Sequence, residues 1–175
     1  MKILDLGCGN DKYKSKNDVI IGIDNAKIPG VDIIHDLNRI PYPFKNNEFD
    51  MIYTSHTLEH LNNLDEVFQE LIRITKNRGR IKIRVPHFSC GVSYRDPTHK
   101  KLFSYFTFDY FTDECFYTKS KFKIVNRKLN FTRQAFTFLN YIFNPIINLS
   151  PLFYERFFCW ILPCAEVIAE LEVRK

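Results

Sequence analysis

Lys2-Ile3-Leu4-Asp5-Leu6-Gly7-Cys8-Gly9-Asn10 is an apolar run that stops at two glycines, and a little further on Val19-Ile20-Ile21-Gly22-Ile23 closes on Asp24. An apolar run ending in Gly-x-Gly reads as a buried strand that turns tightly. Glycines at such a turn let the backbone approach a ligand with no Cβ in the way, and an acid closing the next strand can accept both hydroxyls of a ribose. That is the front half of a nucleotide-type site. Taken alone, Gly7-x-Gly9 lacks the third glycine of the dinucleotide fingerprint, and no phosphate-binding Lys-Ser/Thr follows it. A plain tight turn in an α/β domain is the alternative.

Order along the chain separates the two readings. After Asp24 come Val31-Asp32-Ile33-Ile34-His35-Asp36-Leu37 and then Phe49-Asp50-Met51-Ile52-Tyr53-Thr54-Ser55. With Leu4-Asp5-Leu6-Gly7-Cys8-Gly9, Gly22-Ile23-Asp24, Asp36-Leu37-Asn38, Pro43 to Asp50, Leu58-Glu59-His60-Leu61 and Arg78-Gly79-Arg80 in succession, the chain resembles the class I S-adenosylmethionine-dependent methyltransferases, specifically the small type 11 group. The resemblance covers the first half, to about Pro86. It implies an α/β fold: a doubly wound, mainly parallel seven-strand sheet, Rossmann-like, whose last strand is antiparallel. It implies S-adenosyl-L-methionine as cofactor, its methionine end over Gly7, Cys8 and Gly9. Asp5 would support the turn or bind the amino group through water, and Asp24 would take the ribose hydroxyls. Asp36 and Leu37 would flank the adenine, although Asp36-Leu37-Asn38 also reads as turn chemistry. Asn25, Ser55 and His60 complete the cofactor-binding set.

At 175 residues and 45% hydrophobic content the chain suits one domain over 1–175 with a proper core. No signal peptide and no membrane-spanning run is apparent, so a soluble, cytoplasmic protein is expected. Five cysteines, with no Cys-x-x-Cys pair, read as reduced thiols. A formal charge of +5 favours anionic partners weakly.

The connection from Asn10 to Asp18 is polar and cannot supply an amphipathic crossover helix. Asn25 to Gly30 is also too short for one, so the N-terminal crossovers are shortened and one sheet face lacks cover. Strands are expected at Lys2–Leu6, Val19–Asp24, Val31–Ile34, Phe49–Thr54, Arg80–Pro86, Phe122–Leu129 and Glu170–Arg174. A helix is expected over Leu64–Thr75, capped by Asn62 or Asn63 at its start and by Gly79 at its end. Residues 135–164 form an aromatic helical insertion before the last strand, expected to pack as core over the bare sheet face. A dimer contact or a membrane-surface site is the other reading.

His56-Thr57-Leu58-Glu59-His60 is also a zinc-peptidase pattern, which needs both histidines on one helical face. It sits directly after a strand and just before Asn62-Asn63, which leaves no long helix to carry it. Ubiquinone-type O-methyltransferases place Glu-x-x-Glu-His here and bind a divalent ion; with His56 in the first acid's position, no metal is expected. In Asp96-Pro97-Thr98-His99, His99 resembles the acceptor-facing histidine of polysaccharide-linked type 11 enzymes and is the candidate base, oriented by Asp96. His56 is a further catalytic candidate, and His87 a second candidate base. The expected function is O-methylation of a small-molecule, glycan or lipid-linked acceptor by a monomer or homodimer, with peripheral membrane contact open. No contiguous basic motif supports nucleic acid. The rivals are a non-catalytic cofactor-binding scaffold and a metal-dependent hydrolase.

Overall fold

A computed structural model describes residues 1–175. Its strands are β1 (Lys2–Leu6), β2 (Val19–Asp24), β3 (Ile33–Ile34), β4 (Phe49–Ser55), β5 (Thr75–Pro86), β6 (Phe122–Asn130) and β7 (Glu166–Val173). The helices are α1 (Leu64–Ile74), α2 (Val92–Arg95), α3 (Asn140–Leu149) and α4 (Pro151–Phe157). One seven-stranded sheet runs in the order β3-β2-β1-β4-β5-β7-β6. Strands β1 to β5 pair in parallel, and β7 runs antiparallel between β5 and β6. The strand order reverses between β1 and β4, the switch point of a doubly wound sheet, where ligands bind beyond the carboxyl ends of the strands.

Side-chain alternation decides what each face can hold. Leu4, Leu6, Ile52, Ile81 and Ile83 are fully buried on one face, against Val67, Phe68, Leu71 and Ile74 of α1. Asn63 starts that helix by accepting from the backbone N–H of Asp65 and Glu66. Phe68 is packed edge-on by Phe108, Phe111 and Phe122, so the aromatic stretch after β5 completes this core. The other face carries Asp5, Tyr53, Lys82 and Glu170 in register. There the loop after β1 lies where a crossover helix would, with Tyr13 against Tyr53 at 4.6 Å between ring centroids.

Several boundaries differ from expectation, each for a local reason. β3 shrinks to two residues because the Asp32 carboxylate accepts from Gly22 N–H at 2.6 Å. Gly79 does not cap α1; Thr75 does, donating to Leu71 O, and Gly79 lies inside a longer β5. β7 starts earlier, at Glu166.

The largest correction concerns 135–164. Asn140, Asn144 and Asn148, four apart and so on one face of α3, bind the main chain of Thr132, Phe131 and Leu129 through their side chains. On α4, Glu155 is pinned by His87, Ser104 and Tyr105. These polar residues hold α3 to the end of β6 and α4 to the segment after β5, so the apolar ones turn outward. Tyr141 and Leu149 are each 88% exposed and Ile161 79%. Except for Ile147, Tyr154, Cys159 and Cys164, little of the insertion is core, and it leaves the bare sheet face uncovered. No helix is long and apolar enough to cross a membrane.

Candidate active site

The turn after β1 is held from beneath. Gly7 and Cys8 donate their N–H groups to Ile23 O at 2.8 and 3.3 Å, which ties the turn to β2. Gly7 has φ +73°, and a Cβ there would lie 2.1 Å from Thr57 Oγ1, so only glycine fits. Gly9 has φ +49°, but a Cβ on it would meet nothing within 4 Å. It points into open space. Its N–H donates to Asp24 Oδ2 at 3.0 Å, and Ala26 N–H donates to Oδ1 at 3.0 Å. Two of the roughly four lone-pair positions of that carboxylate remain for a ligand.

That space is a cleft of about 970 Å³ at the carboxyl ends of β1 and β4. Asp5, Gly7, Cys8, Gly9, Asp24, Asn25, Asp36, Leu37, Ser55 and His60 all line it, as does His56. Asp5, almost fully buried, accepts from Tyr13 N–H at 2.6 Å, and burial pushes its pKa up to about 6. Cys8 is buried against Gly22, which pushes its thiol up to about 11, so it is an uncharged packing group here. Asp36 accepts from Asn38 N–H at 3.0 Å, turn chemistry that leaves its second oxygen 3.4 Å from Arg39 Nε.

Asp96 and His99 are not among the lining residues. The His99 imidazole, 5% exposed, turns inward: its Nε2 lies 3.9 Å from Glu59 Oε1, and its ring sits edge-on to His60. His99, expected to face an acceptor, thus lies outside the cleft lining, beside His60. Asp96 is 3.7 Å from His99 and instead accepts from Thr98 Oγ1–H at 2.6 Å. Having given that proton to Asp96, the Thr98 hydroxyl can only accept from His60 Nδ1, 2.9 Å away. The network thus puts a proton on His60 Nδ1 and leaves Nε2 as the acceptor. His87 is fully buried and bonded to Ser89 and Glu155, a core residue without access to the cleft.

The opposite wall was not legible as a site. Glu166 is fully buried and holds His56 Nε2 at 2.8 Å, Arg84 at 2.6 Å, Arg133 at 3.2 Å and Asn130 at 3.2 Å. Burial would raise its pKa, but the hydrogen bonds from His56 and Arg84 outweigh it and hold the carboxyl at about 2. His56 shifts the other way: burial lowers its pKa, the hydrogen bond to Glu166 and the Glu59 carboxylate 3.3 Å from Nδ1 raise it more, and the net shift is upward. His56 has φ +55°, so its side chain is thrown inward off the end of β4. It lies outside the short helical turn Leu58–His60, and the two histidines of His-x-x-Glu-His do not share a helical face. That removes the peptidase geometry. Glu59, His60 and His99 do offer donor atoms within 4.8 Å of one another, and both Glu59 oxygens are buried without a hydrogen bond. With donors that close to one another, these three residues are the cluster in the chain that could hold an ion.

The family model described as a methyltransferase domain, of the type 11 group, matches residues 4–83. No curated protein matches the sequence. Among solved structures, an S-adenosylmethionine-dependent methyltransferase from Archaeoglobus fulgidus has a TM-score of 0.70 at 18% identity, covering 98% of this chain and 85% of that one. A putative methyltransferase from Bacillus halodurans has a TM-score of 0.64 at 13% identity, covering 99% and 93%. A complex of the Trm112 methyltransferase activator with a putative methyltransferase from Haloferax volcanii gives 0.62 at 12%, covering 99% and 83%. The structural likeness is one of fold. The family match falls on the strands and turns that build the cleft, and the open space over Gly9 beside the free positions of Asp24 fits the cofactor of that family. Residues 4–83 thus match the methyltransferase domain of the type 11 group, and the whole chain has the fold of S-adenosylmethionine-dependent methyltransferases.

Proposed function

We propose that the protein methylates an oxygen of a small-molecule, glycan or lipid-linked acceptor, with residues 1–175 acting as one unit. The observation that carries this reading is the convergence of the glycine turn, Asp24, Asp36 and the imidazole of His60 on a single cleft. Gly7, Cys8 and Gly9 hold the methionine end of the cofactor and Asp5 its amino group. Asp24 and Asn25 hold the ribose, and Asp36 and Leu37 border the adenine. S-adenosylmethionine supplies a methyl group made electrophilic by its sulfonium. The remaining work of the chain is to orient the acceptor and take its proton.

His60 is the base in this reading, in place of His99. Asp96 keeps an orienting role, passed through Thr98: the Asp96–Thr98–His60 chain fixes the tautomer that leaves Nε2 free to accept from an acceptor hydroxyl. The exposed aromatic insertion supports a companion proposal, that the protein meets a membrane surface or a second copy through α3 and α4.

The test is transfer of labelled methyl from the cofactor into sugar, lipid and quinol-precursor fractions. His60→Gln should lower the rate on the order of a hundredfold, as loss of a general base does. It should also remove a limb of the pH–rate profile, while Asp24→Ala weakens cofactor binding by calorimetry. A scaffold would transfer no label into any fraction, and a base elsewhere would leave the His60→Gln profile unchanged.

A further inference from the structure

Charge in the cleft is divided. Asp5, Asp11, Asp24 and Asp36 line one part of it, and Arg84, Arg133 and His56, gathered on Glu166, line another. At the basic end Glu166 is the only carboxylate touching the two guanidinium groups, one on each oxygen: Arg84 on Oε2 and Arg133 on Oε1. Two permanent cations therefore face one anion, and His56 adds a third partner to the same carboxylate.

The donors are not used up. Each guanidinium offers five N–H groups. Arg84 donates one hydrogen bond, from its terminal nitrogen, to Glu166, while its Nε is buried with no partner. Arg133 approaches Glu166 through Nε, and its forked end makes no hydrogen bond within the protein. A buried ion cluster is weak evidence for stability, since well-packed apolar residues serve a core as well or better. This cluster also depends on His56 at φ +55°, a conformation that costs a non-glycine residue about 1 kcal/mol or more and persists where function requires it. Arginine pairs with unspent forks suit the planar or tetrahedral oxygens of carboxylate and phosphate.

We propose that Arg84 and Arg133 form an anion subsite that takes a carboxylate or phosphate group carried by the methyl acceptor, with Glu166 as the residue that positions both. The inference rests on the reading of this cleft as the site of methyl transfer, and it narrows the acceptor to one with an anionic group near the methylated hydroxyl. The same chemistry could come from the cofactor's own α-carboxylate, and the two sources make opposite predictions.

Inorganic phosphate is titrated by calorimetry into protein saturated with S-adenosylhomocysteine. The wild type should bind it in a salt-sensitive way. Arg133→Gln should weaken phosphate binding on the order of tenfold or more, the loss expected for a charged hydrogen bond. Arg133→Lys should fall between, since charge remains and the fork is lost. Affinity for S-adenosylhomocysteine should be the same in all three. Absence of phosphate binding to the loaded protein, or no change in Arg133→Gln, overturns the subsite. Displacement of phosphate by S-adenosylhomocysteine overturns it too, by giving the arginines to the cofactor. If S-adenosylhomocysteine itself fails to bind, the function reading fails instead, and phosphate titrated into the free protein still reads the arginines.

Discussion

At one end of the cleft, carboxylates sit at or just beyond the carboxyl ends of neighbouring strands, so Asp5, Asp24 and Asp36 fall into place once β1, β2 and β3 pair. At the other end, a single buried carboxylate from β7 gathers His56 from the end of β4, Arg84 from β5 and Arg133 from the loop after β6. The first end is built by backbone: Asp24 binds Gly9 and Ala26 N–H, and Asp5 binds Tyr13 N–H. The second is built by side chains that meet across 110 residues of sequence. A backbone-built end should fail through geometry and a side-chain-built end through charge.

Geometry is tested hardest at the two glycines, where the largest effect is expected. Gly7→Ala puts a methyl group 2.1 Å from Thr57 Oγ1 and forces a positive φ, and should destabilise the fold by about 3 to 5 kcal/mol. Gly9→Ala meets no atom within 4 Å and should cost about 1 kcal/mol, the αL penalty alone. It should nonetheless weaken cofactor binding on the order of tenfold or more, because the new methyl occupies the open space. Thermal melts alongside calorimetry with S-adenosylhomocysteine separate the two. Equal stability losses would break the contrast.

Charge is tested at Glu166. Glu166→Gln keeps the shape but leaves Arg84 and Arg133 without their counter-ion, which should cost about 3 kcal/mol. The wild type should show the same dependence on acid. With its pKa depressed from 4.5 to about 2, Glu166 contributes stability that is present above pH 4.5 and lost as pH falls toward 2, about 3 kcal/mol in all. His56, raised above 6.5, contributes below that value and loses its contribution as pH rises past its folded pKa. The basic end is therefore firmest between about pH 4.5 and 6.5, and denaturant midpoints across pH should show that window flattened in Glu166→Gln.

The difference between the ends also explains what the sequence could disclose. Gly7-x-Gly9 and Asp24 are legible because local turn chemistry demands those residues at those positions, and the structure brings every cofactor-site candidate to one cleft. The strands themselves were legible as apolar runs, whereas their mainly parallel arrangement came with the family resemblance. Glu166 carried no signal, because it stands at the head of a strand whose alternation reads the same with any polar residue there. Arg84 did show in the basic alternation of Arg80-Ile81-Lys82-Ile83-Arg84, but that pattern does not say that Arg84 meets a carboxylate while Arg80 pairs with Glu172 at 3.0 Å. His99 looked like a base because of its neighbours in sequence; Glu59 draws its ring inward. The insertion misled for a related reason. Aromatic content suggested core, whereas the asparagines of α3, at spacing four, decide which face turns inward.

The subtlest difference is a pH dependence at the acidic end. Asp5, lifted from 3.8 to about 6 by burial, is half protonated near pH 6 without ligand. For the fold the sign is unfavourable: stability is greatest below pH 3.8 and declines as pH rises through 6, because ionisation inside the protein is the costly step. For a cationic ligand the sign reverses, since the amino group of the cofactor prefers the ionised carboxylate and the proton competes with it. Affinity for S-adenosylhomocysteine should therefore fall below pH 6, approaching tenfold per pH unit where coupling to that one proton is complete. Asp5→Asn keeps an acceptor for Tyr13 N–H but has no proton to lose, so its affinity should be flat across the same range. A slope that survives in Asp5→Asn would move the titration to another of the four carboxylates, and with it the place where the amino group sits.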